Sequence, residues 1–176
     1  MKKLLGMLLL ASSFAAVADG NNLYVGVGAG AAWNDIQSPD ASFRLDGGYN
    51  FNDNWALEAG TTGLTQSGSV PDQSMQYYDF SVKGTLPMGD VLAVLAQVGG
   101  AYGSPGATDY RSCTNAGINS CNAVSQEAGW NALTAVGVQI NISRQFSLNL
   151  TDYYYYGANT PQGNSNVLLG GAKFNF

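Results

Sequence analysis

Histidine is absent from the 176 residues, and cysteine occurs only at positions 113 and 121. Without histidine the chain lacks the side chain most used as a general base and as a metal ligand near neutral pH. Two cysteines alone do not complete the four-ligand set of a structural zinc site. No cofactor and no metal is therefore expected. Basic residues are scarce as well, seven Lys and Arg against twelve Asp and Glu. A nucleic-acid partner needs a Lys/Arg surface that neutralises phosphates, so this composition excludes one. Long apolar runs are missing too. Nothing beyond the first eighteen residues approaches the roughly 20 consecutive apolar positions of a membrane-crossing helix. If the chain crosses a membrane, it does so as strands.

What is present begins with a leader. Met1-Lys2-Lys3 precedes a mostly apolar run from Leu4 to Val17, and Ala16-Val17-Ala18 closes it. A basic start, a short apolar core and a small-x-small site mark a secretory signal peptide, with cleavage expected after Ala18. Residues 19–176 then form one domain with five basic residues (Arg44, Lys83, Arg111, Arg144, Lys173) against the twelve acidic ones, a net charge of −7. Cys113 and Cys121 lie in a Gly/Ser/Asn/Thr-rich stretch of this exported domain, where a disulfide is expected. A ring of that size would add about 2–3 kcal/mol, chiefly by pinning its loop.

The far end of the chain organises the rest. From Leu168, every second residue is apolar or small: Gly170, Ala172, Phe174 and Phe176. Leu169, Gly171, Lys173 and Asn175 fill the alternate positions and carry the polar groups. Period-two alternation of this kind marks a strand with one apolar and one polar face. A last strand that ends on an aromatic suits a barrel whose final strand pairs with its first to remove both edges. This stretch resembles the closing strand of bacterial outer-membrane β-barrels, whose terminal Phe is read by the assembly machinery. Phe176, with Phe174 behind it, would be that signal. The domain as a whole resembles the OmpA-like eight-stranded barrels. The resemblance implies a Gram-negative outer membrane, contact with its lipid and lipopolysaccharide, and an all-β, eight-stranded antiparallel up-and-down transmembrane barrel. Phe176 ends both the strand and the chain, so the periplasmic domain of full-length OmpA proteins is not expected here.

The residues support the same architecture on their own. Alternating segments run from Asn22 to Trp33, Ala41 to Phe51, Trp55 to Thr65, Ser74 to Leu86, Val91 to Gly103, Gly129 to Ile142, Phe146 to Tyr156, and Asn166 to the end. Asn52-Asp53-Asn54, Pro87 to Asp90 and Ser143 to Gln145 are short turns between them. Residues 34–40, 66–73, 104–128 and 157–165 are longer polar loops. Long loops alternating with tight turns put both termini and the turns on the periplasmic side. Trp55, Phe51, Phe146, Phe174 and Phe176 would form the inner aromatic belt. Trp33, Tyr102, Trp130 and the Tyr153–Tyr156 run would form the outer one. Gly26, Gly28 and Gly30 alternate as strand positions, with no helix following, and are expected to leave room for long side chains opposite.

One position conflicts with the pattern. Strict alternation from Phe146, Leu148 and Leu150 would place Asp152 on the lipid face, where a carboxylate is costly. A β-bulge near Thr151–Asp152 is expected to turn Asp152 inward and leave Tyr153 facing lipid. The lumen would then hold Arg44, Lys83 and Lys173 against Asp46, Glu58, Asp79 and Asp152. Two layers are expected: Glu58, Lys83 and Lys173 lower, with Gln139 and Asn149, and Arg44, Asp46 and Asp79 higher. Such groups in a narrow lumen should pair into a plug. The alternative is a narrow ion or small-solute channel whose bridges exchange partners, although eight strands enclose little more than side chains. Small barrels of this kind that process lipid A use a His with a Ser, and without His no such machinery is expected here. The loops remain as a place for function, as contacts to a host or surface ligand.

Overall fold

A backbone in hydrocarbon must satisfy every N–H and C=O internally, and a closed ring of strands does so. The computed structural model describes residues 22–34, 37–65, 74–105, 128–157 and 164–176. Eight strands make the ring: β1 (Leu23–Asn34), β2 (Gln37–Asn50), β3 (Trp55–Thr65), β4 (Ser74–Met88), β5 (Leu92–Pro105), β6 (Gly129–Asn141), β7 (Phe146–Tyr156) and β8 (Ser165–Asn175). Each pairs antiparallel with its sequence neighbours, and β1 closes on β8 with Val25 opposite Phe174. Phe176 N donates to Leu23 O at 3.0 Å, so the seam is bonded to its last residue.

The registers fix the geometry of the ring. Starting at Trp33, partners run through Asn166, Tyr154, Thr134, Val98, Val82, Leu57 and Tyr49 back to β1 at Leu23. One circuit thus returns ten residues lower, at position 23 instead of 33. With eight strands, that stagger tilts them by about 40° and sets a radius of about 8 Å. At this tilt a residue advances about 2.5 Å along the axis and a step to the next strand about 3 Å.

Alternation sorts the side chains as the residues demand. Leu45, Phe80, Val98, Val136 and Leu150 are exposed on the outside. Arg44, Glu58, Asp79, Lys83 and Lys173 are buried inside. Trp33, Tyr102 and Trp130 ring one end, with Tyr102 and Trp130 edge-to-face at 5.5 Å. Phe51, Trp55, Phe146 and Phe174 ring the other. The tight turns are held by local side chains: Asn52 Oδ1 accepts from the backbone N of Asn54 and of Trp55, both at 2.9 Å. Gly89, with φ of 90°, sits in the left-handed region that the β4–β5 turn requires.

Two expectations change. Residues 34–40 are not all loop, since β1 reaches Asn34 and β2 starts at Gln37. The register shifts there: Ala32 faces Asp40 but Asn34 faces Gln37, so β2 carries one extra residue. Ser38-Pro39-Asp40 has loop composition, yet the wall continues through it. The second change concerns Asp152. Val136 and Leu168 face it in unbroken register, with no bulge in β7, and it points outward. The physical reason lies in its neighbours. A bulge would expel Tyr153 and Tyr155, which are buried in the lumen at 3% and 1% exposure.

Candidate functional site

The lumen gathers the charged side chains because inward positions on adjacent strands are long on one and absent on the next. A Cβ on Gly60 would lie 2.7 Å from Arg44 Cζ, and one on Gly26 would lie 2.9 Å from Asp46 Cγ. A Cβ on Gly48 would meet the Tyr24 phenol and come within 2.6 Å of Leu57 O. The glycine rows are the space into which these side chains fold.

Arg44 on β2 reaches past β3 to Asp79 on β4, donating from Nη1 to Oδ2 at 2.6 Å and from Nη2 to Oδ1 at 2.8 Å. Nη2 also donates to Glu58 Oε1 at 3.2 Å, and Nη1 to Thr62 Oγ1 at 2.9 Å. Asp46 approaches Arg44 Nε at 3.5 Å as an ion pair, without hydrogen-bond geometry. Lys83 Nζ donates to Glu58 Oε2 and to the Tyr24 hydroxyl. Tyr24 in turn donates to Glu58 Oε2 at 2.7 Å. Its ring lies under Lys83 Nζ at 4.0 Å and Lys173 Nζ at 4.5 Å. Glu58 therefore joins the two expected layers into one network.

Every sequence-predicted lumen residue except Asp152 belongs to this region. With Asp152 outside, the described lumen side chains carry three cations (Arg44, Lys83, Lys173) and three carboxylates (Asp46, Glu58, Asp79). These six described charges balance. Among the described residues no group of three or more His, Cys, Asp or Glu is arranged to hold a metal ion. Cys113 and Cys121 lie outside the described residues.

Above the charges the lumen turns apolar and aromatic. Tyr77 and Tyr155 stack at 4.2 Å, and Leu64, Met75, Leu133, Val167 and Leu169 pack in the same buried cluster. Tyr155 is within hydrogen-bond distance of Thr62 Oγ1 at 3.0 Å, and Tyr77 of Ser165 Oγ at 3.2 Å. Tyr153 takes the Arg44 guanidinium over its face at 4.5 Å. A void of about 10 Å³ between Gly28, Arg44, Asp46, Asn149, Thr151 and Tyr153 has room for about one water. Among the described side chains, the tyrosine and aliphatic layer lies between the Trp33 end and the lumen charges.

Tyr24 is the functional side chain that sequence reasoning passed over, whereas Tyr153 and Tyr155, expected in the outer belt, belong to the lumen. A signal for Tyr24 existed: it is the one large residue among the placed inward side chains of β1, the others being glycine and Ala32.

The model of the outer membrane protein β-barrel domain family matches residues 4–176. The chain belongs to this family. It is accordingly an outer-membrane protein of Gram-negative bacteria. Comparison with curated protein sequences gives no match. Among solved structures it is similar to Neisserial surface protein A, at 12% identity and a TM-score of 0.68, over 88% of this chain and 96% of that one. It is similar to the N-terminal β-barrel domain of Pseudomonas aeruginosa OprF, at 17% identity and a TM-score of 0.57, over 87% and 97%. Ail, the attachment invasion locus protein of Yersinia pestis, matches at 13% identity and a TM-score of 0.54, over 88% and 97%. Likeness at these identities establishes the fold, and the role has to come from this chain's own residues.

Proposed function

We propose that this family member is a surface-interaction protein of adhesion type, with a closed barrel as scaffold and its long loops as the contacting part. The filled lumen carries this proposal: a balanced ion-pair network lies under a stacked Tyr77–Tyr155 lid. A barrel of about 8 Å radius filled to that extent favours a scaffold over a solute path. Function then falls to the segments beyond the Trp33 end. Residues 35–36, 66–73, 106–127 and 158–163 hold Asp35, Asp72, Asp109 and Glu127 against Arg111 alone. Such loops complement a basic or neutral host surface better than a polyanion. Attachment is what the name of Ail states for that protein. The Cys113–Cys121 loop, with Tyr110 beside Arg111, is the longest and the first place for the contact.

Two measurements test this. Folded, oxidised protein in planar bilayers should be silent. Discrete openings that change when Arg44, Lys83 and Lys173 are neutralised would replace the scaffold with a narrow ion or small-solute channel. Bacteria displaying a variant with residues 106–127 replaced by a short turn should adhere less to cultured host cells. Unchanged adherence would remove the loop from the proposal.

A further inference from the structure

Asp152 is the one charged side chain on the outward face among the described strand residues whose side chains are placed. By the register it stands about 11 Å below Trp33 and about 15 Å above Phe146 along the axis, near half-depth. The side chain is partly exposed on this wall, and its Oδ1, turned away from the surface, has no hydrogen-bond partner within the barrel. Asn166 Oδ1, outward on β8, is unpartnered in the same way. Tyr154 stands between Thr134 and Asn166 in the register, and its ring touches Tyr156. The surrounding wall is apolar, with Val136, Val138, Leu148, Leu150 and Leu168 all exposed. Hydrocarbon offers these polar groups no donor, and the headgroups begin about 11 Å away, near the Trp33 belt.

We propose that the β6–β8 face is where two copies of this chain pack side by side in the membrane. The case for a second copy is complementarity. A twofold axis along the membrane normal keeps every residue at its own depth. The Thr134 hydroxyl of one copy then lies within about 2 Å of the other's Asp152 level, and Tyr154, about 5 Å higher, is long enough to span the difference. The patch holds donors and acceptors together, as a self-complementary interface requires. Gly170 and Ala29, exposed on the adjoining strands, permit close approach.

The test is dilution in a bilayer. Protein labelled at its amino terminus and folded in phosphatidylcholine vesicles is diluted with lipid, and energy transfer between copies is followed. Wild type should associate. Asp152→Leu should require at least tenfold higher protein density for the same transfer, and Asp152→Asn should stay within about threefold of wild type, since the amide keeps a polar contact. The outward position lets Asp152→Leu fold, which heat-dependent gel mobility checks. A wild type that stays monomeric at every density overturns the proposal. Coinciding curves for wild type and Asp152→Leu also overturn it, because any association would then use another face or another partner.

Discussion

Arg44 grips Asp79 through both terminal guanidinium nitrogens, at 2.6 and 2.8 Å, although β3 runs between their strands. The pair is a tie across the lumen, with both side chains at or below 2% exposure. Truncating one partner strands the other's charge in the interior. Arg44→Met should therefore lower the unfolding free energy by about 3–5 kcal/mol. Arg44→Met combined with Asp79→Leu should lose clearly less than the sum of the single changes. Urea titration in lipid vesicles, followed by tryptophan fluorescence, measures both.

The Tyr24 hydroxyl serves Glu58 and Lys83 at once. Tyr24→Phe keeps the ring under the two ammonium groups and removes only the oxygen. A loss of about 1–3 kcal/mol is expected in the same titration. No loss would mean that a water takes over the hydroxyl's place.

Gly60 and Gly100 offer a paired comparison. A Cβ at Gly60 lies 2.7 Å from Arg44 Cζ, whereas at Gly100 the nearest atom is 3.9 Å away. Gly60→Ala should destabilise by about 1–3 kcal/mol, while Gly100→Ala should change little. Equal effects would show that the guanidinium has free room to move.

Asp152→Leu removes a carboxylate from the lipid-facing wall. At protein densities where copies do not meet, it should raise the unfolding free energy by about 1–2 kcal/mol. A decrease would mean that the carboxylate has a stabilising partner within its own barrel.

Cys113 and Cys121 should be unreactive to thiol reagents in the unfolded protein until it is reduced. Because the pair falls in the sequence between β5 and β6 and not within a strand, replacing both with Ser should leave the barrel's urea midpoint unchanged.

The strand walls were readable because each strand is amphipathic at period two, and β3 and β7 run between the residues expected. The small inward residues also announced their purpose in the sequence. Depth and azimuth were less legible, since they depend on a stagger that belongs to the closed ring and to no single strand. That is why Glu58, assigned to a lower layer, turned out to join Arg44 to Lys83. Asp152 defeated local reasoning for a related cause. Its cost on the outer wall was visible from its charge, but the compensating gain lies with Tyr153 and Tyr155, whose partners sit on β2, β3 and β4.

Lys173 on β8 lies 4.5 Å over the ring of Tyr24 on β1, across the seam where the barrel closes. A closing strand that slipped by one residue would turn Lys173 into lipid. A slip of two would carry it about 7 Å along β1, away from the ring. Either error isolates an ammonium. Charge thus selects the closing register: backbone pairing alone tolerates several, and the contact between the first and final strands penalises slips of one or two residues.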